Sequence, residues 1–232
     1  MRRIVPIFIL LLVATLSGCS TEPKESGYTT LSVMLDHDAT AAQKSAVEQR
    51  LRGMPSVTNV AFETRGQAYE KLKNESPELL AGLDPEDLPE SFHGTVTDAS
   101  VAEAVELVMA TIDGVAGTAI KIADVDPVPK RIGAIVRLEP TATQGQRATV
   151  ERAVRAIPNA QSVEFEDRDA AYERLRKQCQ GKGDLATQLK SAATRASFRL
   201  QLPVKRGAAS GLTEIQRLDG VDAVLLVPAA ML

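Results

Sequence analysis

The sequence has no tryptophan, three tyrosines and five phenylalanines, two histidines and two cysteines in 232 residues. Each scarcity excludes something. With aromatics at 3% and apolar residues at 44%, the core has to be built from Val, Leu, Ile and Ala. Two cysteines cannot make a disulfide framework. No single sign of charge dominates: 27 basic and 30 acidic residues are interspersed, for a net charge of −3. No basic stripe invites nucleic acid. Catalytic signatures are missing as well. There is no Gly-x-Ser-x-Gly elbow and no Gly-x-x-x-x-Gly-Lys phosphate loop. Asp36-His37-Asp38 are three adjacent residues that cannot easily converge on one ion. No metal, cofactor or catalytic residue is expected.

The longest apolar run stands at the start. Arg2 and Arg3 precede Ile4–Leu16, and these 13 residues are too few to span a bilayer comfortably. The run ends in Leu16-Ser17-Gly18-Cys19, which resembles the lipobox of bacterial lipoproteins. That resemblance implies residues 1–19 as a signal segment, with Cys19 thioether-linked to diacylglycerol and left as the mature N-terminus. Two or more acyl chains hold a protein firmly to a membrane. Lys and Arg are not clustered beside Cys19, so electrostatic lipid binding adds little. Cys179 then has no partner. It lies in Gln-Cys-Gln-Gly-Lys-Gly, which reads as a loop, and His37 and His93 both belong to the other half of the chain. An incidental thiol is the expectation.

Residues 20–30 are polar and contain Gly, Ser and Pro, as a tether would. Beyond them the chain repeats itself. Val33–Lys73 aligns with Val136–Arg176 at a constant offset of 103, and 17 of the 41 pairs are identical. Likeness resumes at an offset of 106, where Phe92 meets Phe198 and Asp113-Gly114-Val115 meets Asp219-Gly220-Val221. A gap-free match of this length marks a tandem duplication, and two copies suit two globular domains better than a solenoid. The copies are expected at 31–124 and 132–230, with a two-proline linker at 125–131 that limits their relative motion without fixing their angle.

Within the first copy Leu31, Val33 and Leu35 alternate as a half-buried strand. Thr40 precedes a helix whose Val47, Leu51 and Met54 share one face. A strand follows at Val60 and Phe62, then a helix over Gln67–Leu72 and a short one over Pro77–Leu83. Phe92, Gly94 and Val96 make a third strand. Val101, Val105, Val108 and Ile112 make an amphipathic helix closed by Gly114, and Ile120 and Ile122 a last strand. This order predicts an α+β class: two tandem ferredoxin-like βαβ-βαβ sandwiches, each with a helical insertion between its second and third strands.

The series Ala39-Thr40-Ala41-Ala42-Gln43, Met54-Pro55-Ser56-Val57 and Phe62-Glu63-Thr64-Arg65-Gly66-Gln67-Ala68-Tyr69 resembles the extracytoplasmic domain of the cell-division protein FtsX, of the actinobacterial type. So does Asp84-Pro85-Glu86-Asp87-Leu88-Pro89-Glu90-Ser91-Phe92. The likeness covers 31–124 and, more faintly, 132–228. It implies a binding domain for envelope proteins, such as a peptidoglycan hydrolase or a divisome component, with the helical insertion as the contact. Leu72, Leu79, Leu80 and Leu83, and in the second copy Leu185 and Leu189, are the apolar residues of that insertion and the expected partner-binding set. The bland alternative is that these leucines cap the lobe's own core. Glu63 with Arg65, repeated as Glu166 with Arg168, reads as a structural pair at the strand-to-helix turn. A second functional reading is a small ligand held between the two domains, although few aromatics are available to line such a pocket.

Overall fold

A computed structural model describes residues 29–80, 82–122, 130–204 and 208–232. The Cys19 lipidation site, residues 20–28 of the tether, residues 123–124 at the end of the first copy and residues 125–129 of the linker lie outside the described residues.

The first copy runs β1 (Thr29–Leu35), α1 (Ala41–Gly53), β2 (Val57–Glu63), α2 (Arg65–Glu75), two 3-10 turns (Pro77–Leu80 and Pro85–Asp87), β3 (Ser91–Val96), α3 (Ala102–Met109) and β4 (Val115–Ile122). The second runs β5 (Arg131–Leu138), α4 (Gln144–Arg155), β6 (Gln161–Glu166), α5 (Arg168–Gln178), α6 (Leu185–Gln188), β7 (Ser197–Pro203), α7 (Ala208–Gln216) and β8 (Val221–Pro228). Strand order is β2-β3-β1-β4 in one sheet and β6-β7-β5-β8 in the other, and every neighbouring pair is antiparallel. Each half is therefore a split βαβ-βαβ sandwich of the ferredoxin-like type. β1 begins at Thr29 and β5 at Arg131, so the strands take in the last residues of the expected tether and linker.

Local chemistry explains why both copies fold alike. Thr40 and Gln43 form a reciprocal capping box at the start of α1, and Thr143 and Gln146 form the same box at α4, satisfying helix N–H groups that have no intrahelical acceptor. Gly114 and Gly220 have φ of +89° and +87°, and a Cβ at either would come within 2.8–2.9 Å of the capping glutamine, Gln43 or Gln146. Only glycine fits both demands. Phe62 stacks on Phe92 at 5.0 Å and Phe165 on Phe198 at 5.2 Å.

The copies differ in what covers the outer face of each sheet. β1 alternates between buried and half-buried residues, with Leu31, Val33 and Leu35 facing the helices and the other face open. β5 is buried from Gly133 to Leu138, as a strand covered on both faces must be. The cover is α3 of the first copy. All eight of its residues are buried, so this helix is not amphipathic in its setting: one side packs on its own sheet and the other on the second copy. Ile135, Leu225, Val227 and Met231 consequently join the core cluster of the first copy. The second copy's own core, around Val136, Val150, Phe198 and Leu200, stays separate.

Candidate protein-binding surfaces

The junction between the copies is filled rather than hollow. Glu103 and Glu106 on α3 are 4% and 3% exposed. Burying two carboxylates is tolerable only with full compensation, and three arginines of the second copy supply it. Glu103 Oε2 lies 3.1 Å from Arg199 and 3.0 Å from Arg174, and Glu106 lies 2.5 Å from Arg137. Thr118 donates to the other Glu106 oxygen. Glu166 holds Arg174 at 2.7 Å, which completes three acids against three bases. Burial works to raise the Glu103 carboxyl, but Arg199, Arg137 and Arg174 outweigh it and hold it below the usual carboxylate range. Lys182 pins Asp98, just ahead of α3, at 2.7 Å. A groove of about 340 Å³ beside α1, lined by Arg50, Met54, Asp184 and Gln188 among others, touches both copies, with polar and apolar surface in equal measure.

The equivalent outer face of the first sheet is uncovered. His93 stands where the second copy has Arg199, and Glu63 where it has Glu166. His93 Nε2 lies 2.9 Å from Glu63 and its Nδ1 lies 2.9 Å from Ser32 Oγ. The hydrogen bond with His93 is the main influence on Glu63 and, against burial, brings its pKa down to about 2. A hydroxyl, an imidazole and a carboxylate thus meet in a row. Ser32 and His93 sit on β1 and β3, central strands paired on both sides, so their backbone N–H groups are committed to the ladder rather than offered to an oxyanion.

Glu63 and Arg65 do not pair as expected. Glu63 turns to the sheet face and meets His93 and, at 3.6 Å, Lys71. Arg65 opens α2, where it holds Glu86 at 3.0 Å and donates to the His37 carbonyl. In the second copy Glu166 holds Arg174, and among the described residues Arg168 pairs with its neighbour Asp169 alone, at 3.3 Å. The strand ends at Glu63 and the helix begins at Arg65, so the i, i+2 alignment of a strand is broken between them and the side chains part.

The six insertion leucines also divide. Leu72, Leu79 and Leu80 are half-buried and Leu83 is 37% exposed. Neither α2 nor the turn at Pro77–Leu80 has a single buried residue. Leu185 and Leu189 are 2% and 3% exposed and lie in the shared core with α3, so no partner reaches them in this structure. Cys179 is not on a loop surface either. It caps α5 in that same core, fully buried, and burial, with Asp98 nearby, pushes its thiol up to about 11. Among the described residues no group of three or more His, Cys, Asp or Glu is placed to hold a metal ion.

The model of the FtsX extracellular domain matches this chain twice, at residues 29–118 and 131–227. The chain belongs to the FtsX extracellular domain family. No curated protein matches it. Among solved structures, extracellular domain 1 of FtsX from S. pneumonie in complex with undecyl-maltoside is 15% identical, covering 43% of this chain and 98% of that one at a TM-score of 0.33. An unknown protein from Galdieria sulphuraria is 11% identical, covering 88% and 98% at a TM-score of 0.24. Each FtsX domain match runs from the first strand of one four-stranded sheet through its helices into the last strand. As tandem FtsX extracellular domains, the chain is an extracytoplasmic module related to cell division. Among the described residues no helix is long and apolar enough to cross a membrane.

The α3–arginine junction was missed from sequence. The clue to it was present: Ala134-Ile135-Val136 and Ala223-Val224-Leu225-Leu226-Val227 are unbroken apolar runs, where the first copy has Leu31-Ser32-Val33 and Thr118-Ala119-Ile120-Lys121. Unbroken runs mark strands buried on both faces.

Proposed function

We propose that this chain is a lipoprotein held on the outer face of the cell membrane through Cys19, which binds a peptidoglycan hydrolase or a divisome protein through the insertion lobe of its first copy. The observation that carries the reading is the lobe built by α2 and the Pro77–Leu80 turn: among its described residues only the Ser76 cap between them is buried, yet it gathers the half-buried Leu72, Leu79 and Leu80, with the exposed Leu83 just beyond. Apolar side chains gathered without a core are what a partner helix or groove covers. The second copy's lobe is its counterpart in shape only, since its leucines are taken up by α3.

The test is a pull-down from envelope extract using the wild type and a Leu79→Glu/Leu80→Glu/Leu83→Glu variant. A peptidoglycan hydrolase or divisome protein is expected with the first and lost with the second at unchanged melting temperature. A folded triple variant that keeps every partner overturns the contact surface. Incorporation of radiolabelled palmitate, abolished in Cys19→Ser, checks the anchor separately.

A further inference from the structure

The two copies also diverge where each sandwich meets its lobe. In the first copy residues 84–90 form a strap beside the junction of α1, β2 and α2. Its Glu86 holds Arg65 at 3.0 Å and its Glu90 holds Lys44. In the second copy residues 190–196 follow the same path. A 3-10 turn occupies Ser191–Ala193 as it does Pro85–Asp87. The Leu138 N–H donates to the Ala196 carbonyl at 2.8 Å, as Leu35 does to Glu90 at 2.9 Å.

The path is the same but the charge is reversed. Residues 84–90 carry four acids (Asp84, Glu86, Asp87, Glu90) and no base, whereas 190–196 carry two bases (Lys190, Arg195) and no acid. Ala192 and Ala196 stand where the first copy has Glu86 and Glu90. The cations those acids would meet are retained: Arg168 corresponds to Arg65 and Arg147 to Lys44. Arg168 keeps only Asp169, and Arg147 lies 4.9 Å over the Phe165 ring with no ion pair among the described residues. Arg195 is already engaged: its Nη1 donates to the Ala192 and Thr194 carbonyls and Asp222 lies 3.9 Å from its Nε, although that Nε has no hydrogen-bond acceptor. What remains is an open groove of about 630 Å³. Phe165, 39% exposed, lies within it beside Leu138 and Ala142, and Arg147, Arg168 and Arg195 stand around it. Of its acids, Asp167 is engaged in capping α5 through the Ala170 N–H and Asp169 by Arg168; Glu139 also lines it.

The geometry points to this groove as the docking site of an extended acidic segment of a partner protein, whose carboxylates take the positions that Glu86 and Glu90 fill in the first copy. Arginines match carboxylates with paired donors, and the Phe165 ring offers an apolar contact between them. The inference shares with the proposed function only the premise that the ligand is a protein; the site is on the other copy.

The first copy's own strap supplies the probe. A fluorescein-labelled peptide with the sequence of residues 84–91 is titrated with the full chain at about 50 mM salt, where surface charge is weakly screened, and anisotropy is read. Saturable binding is expected. It should weaken about tenfold, the scale of one lost charge-assisted contact, in Arg147→Glu and in Arg168→Glu. A peptide with Gln for each Glu should weaken likewise, and so should Ala192→Glu/Ala196→Glu, which restores the acids in the chain itself. Arg147→Gln replaces Arg147→Glu if the latter melts lower. Absence of saturable binding, or binding indifferent to these changes, overturns the inference. So does loss of binding to phosphatidylglycerol vesicles in the arginine variants with peptide binding unaltered, because the groove would then serve lipid. Binding retained by the Leu79/Leu80/Leu83 variant keeps this result independent of the lobe.

Discussion

Glu103 on α3 of the first copy and Arg199 on β7 of the second form a buried ion pair, 3.1 Å apart, across the junction. Replacing such a pair by apolar residues can be neutral, but removing one partner leaves the other charge buried and uncompensated. Glu103→Ala leaves three arginines against two acids, with Arg199 and Arg174 sharing Glu166 at 3.6 and 2.7 Å, and should cost about 3 kcal/mol, the lower end for a broken buried pair. Denaturant melts should show one cooperative transition in the wild type and an earlier, split one in the variant. Glu173→Ala removes an exposed pair with Arg176 and should cost less than about 1 kcal/mol.

Acid should weaken the fold in a defined window. Glu63, at about 2, and Glu103 both have carboxyl pKa values lowered by folding, so the unfolded chain binds more protons as pH falls below about 4.5. Their contribution is complete above that value and is lost progressively down to about 2 for Glu63. Melting temperature is expected to be level from pH 7 to about 5 and to fall below 4.5, with a shallower fall in Glu63→Gln. A wild-type melting temperature that stays level to pH 3 contradicts the Glu63–His93 bond.

The two left-handed glycines make a paired prediction. Gly114→Ala and Gly220→Ala each put a Cβ against a capping glutamine at a φ that L-residues avoid. Each should cost about 1–3 kcal/mol, read from denaturant midpoints. Gly66→Ala, where nothing lies within 4 Å of the added carbon, should be near neutral.

The fold was largely legible in the sequence because the duplication gave two independent samples of one pattern. Thr40 with Gln43 and Thr143 with Gln146 bracket the same helix start, and Val60-x-Phe62 recurs as Val163-x-Phe165. Interactions between the copies could not be read this way, since repetition carries information only about what the copies share. Glu103 and Glu106 fall on the polar side of an amphipathic helix, and nothing local to 101–112 distinguishes a solvated carboxylate from one facing arginines 31 to 96 residues away in sequence. Leu185 and Leu189 are ambiguous in sequence for the same reason: an apolar residue on a small lobe has the same appearance whether a partner protein or the neighbouring domain covers it.

Cys179 should be chemically silent in the folded chain. With its thiol pushed up to about 11 and its surface fully buried, its thiolate fraction at neutral pH is a few hundred times below that of an ordinary cysteine, on the order of one in ten thousand. Labelling by a soluble disulfide reagent is expected to follow unfolding, slow in buffer and immediate in guanidinium. Fast labelling of the native chain contradicts its placement in the core.

Helix α3 also sets a limit on growth. Its carboxylates have no successors: Ala209 and Leu212 occupy the matching positions in the second copy. Nor does the first sheet offer a matching receptor, because Met34, Lys71 and His93 stand where Arg137, Arg174 and Arg199 would be needed, and Lys71 and His93 already hold Glu63. The handshake can be made once per chain and passed to no third unit, so the pair terminates itself instead of seeding a head-to-tail filament.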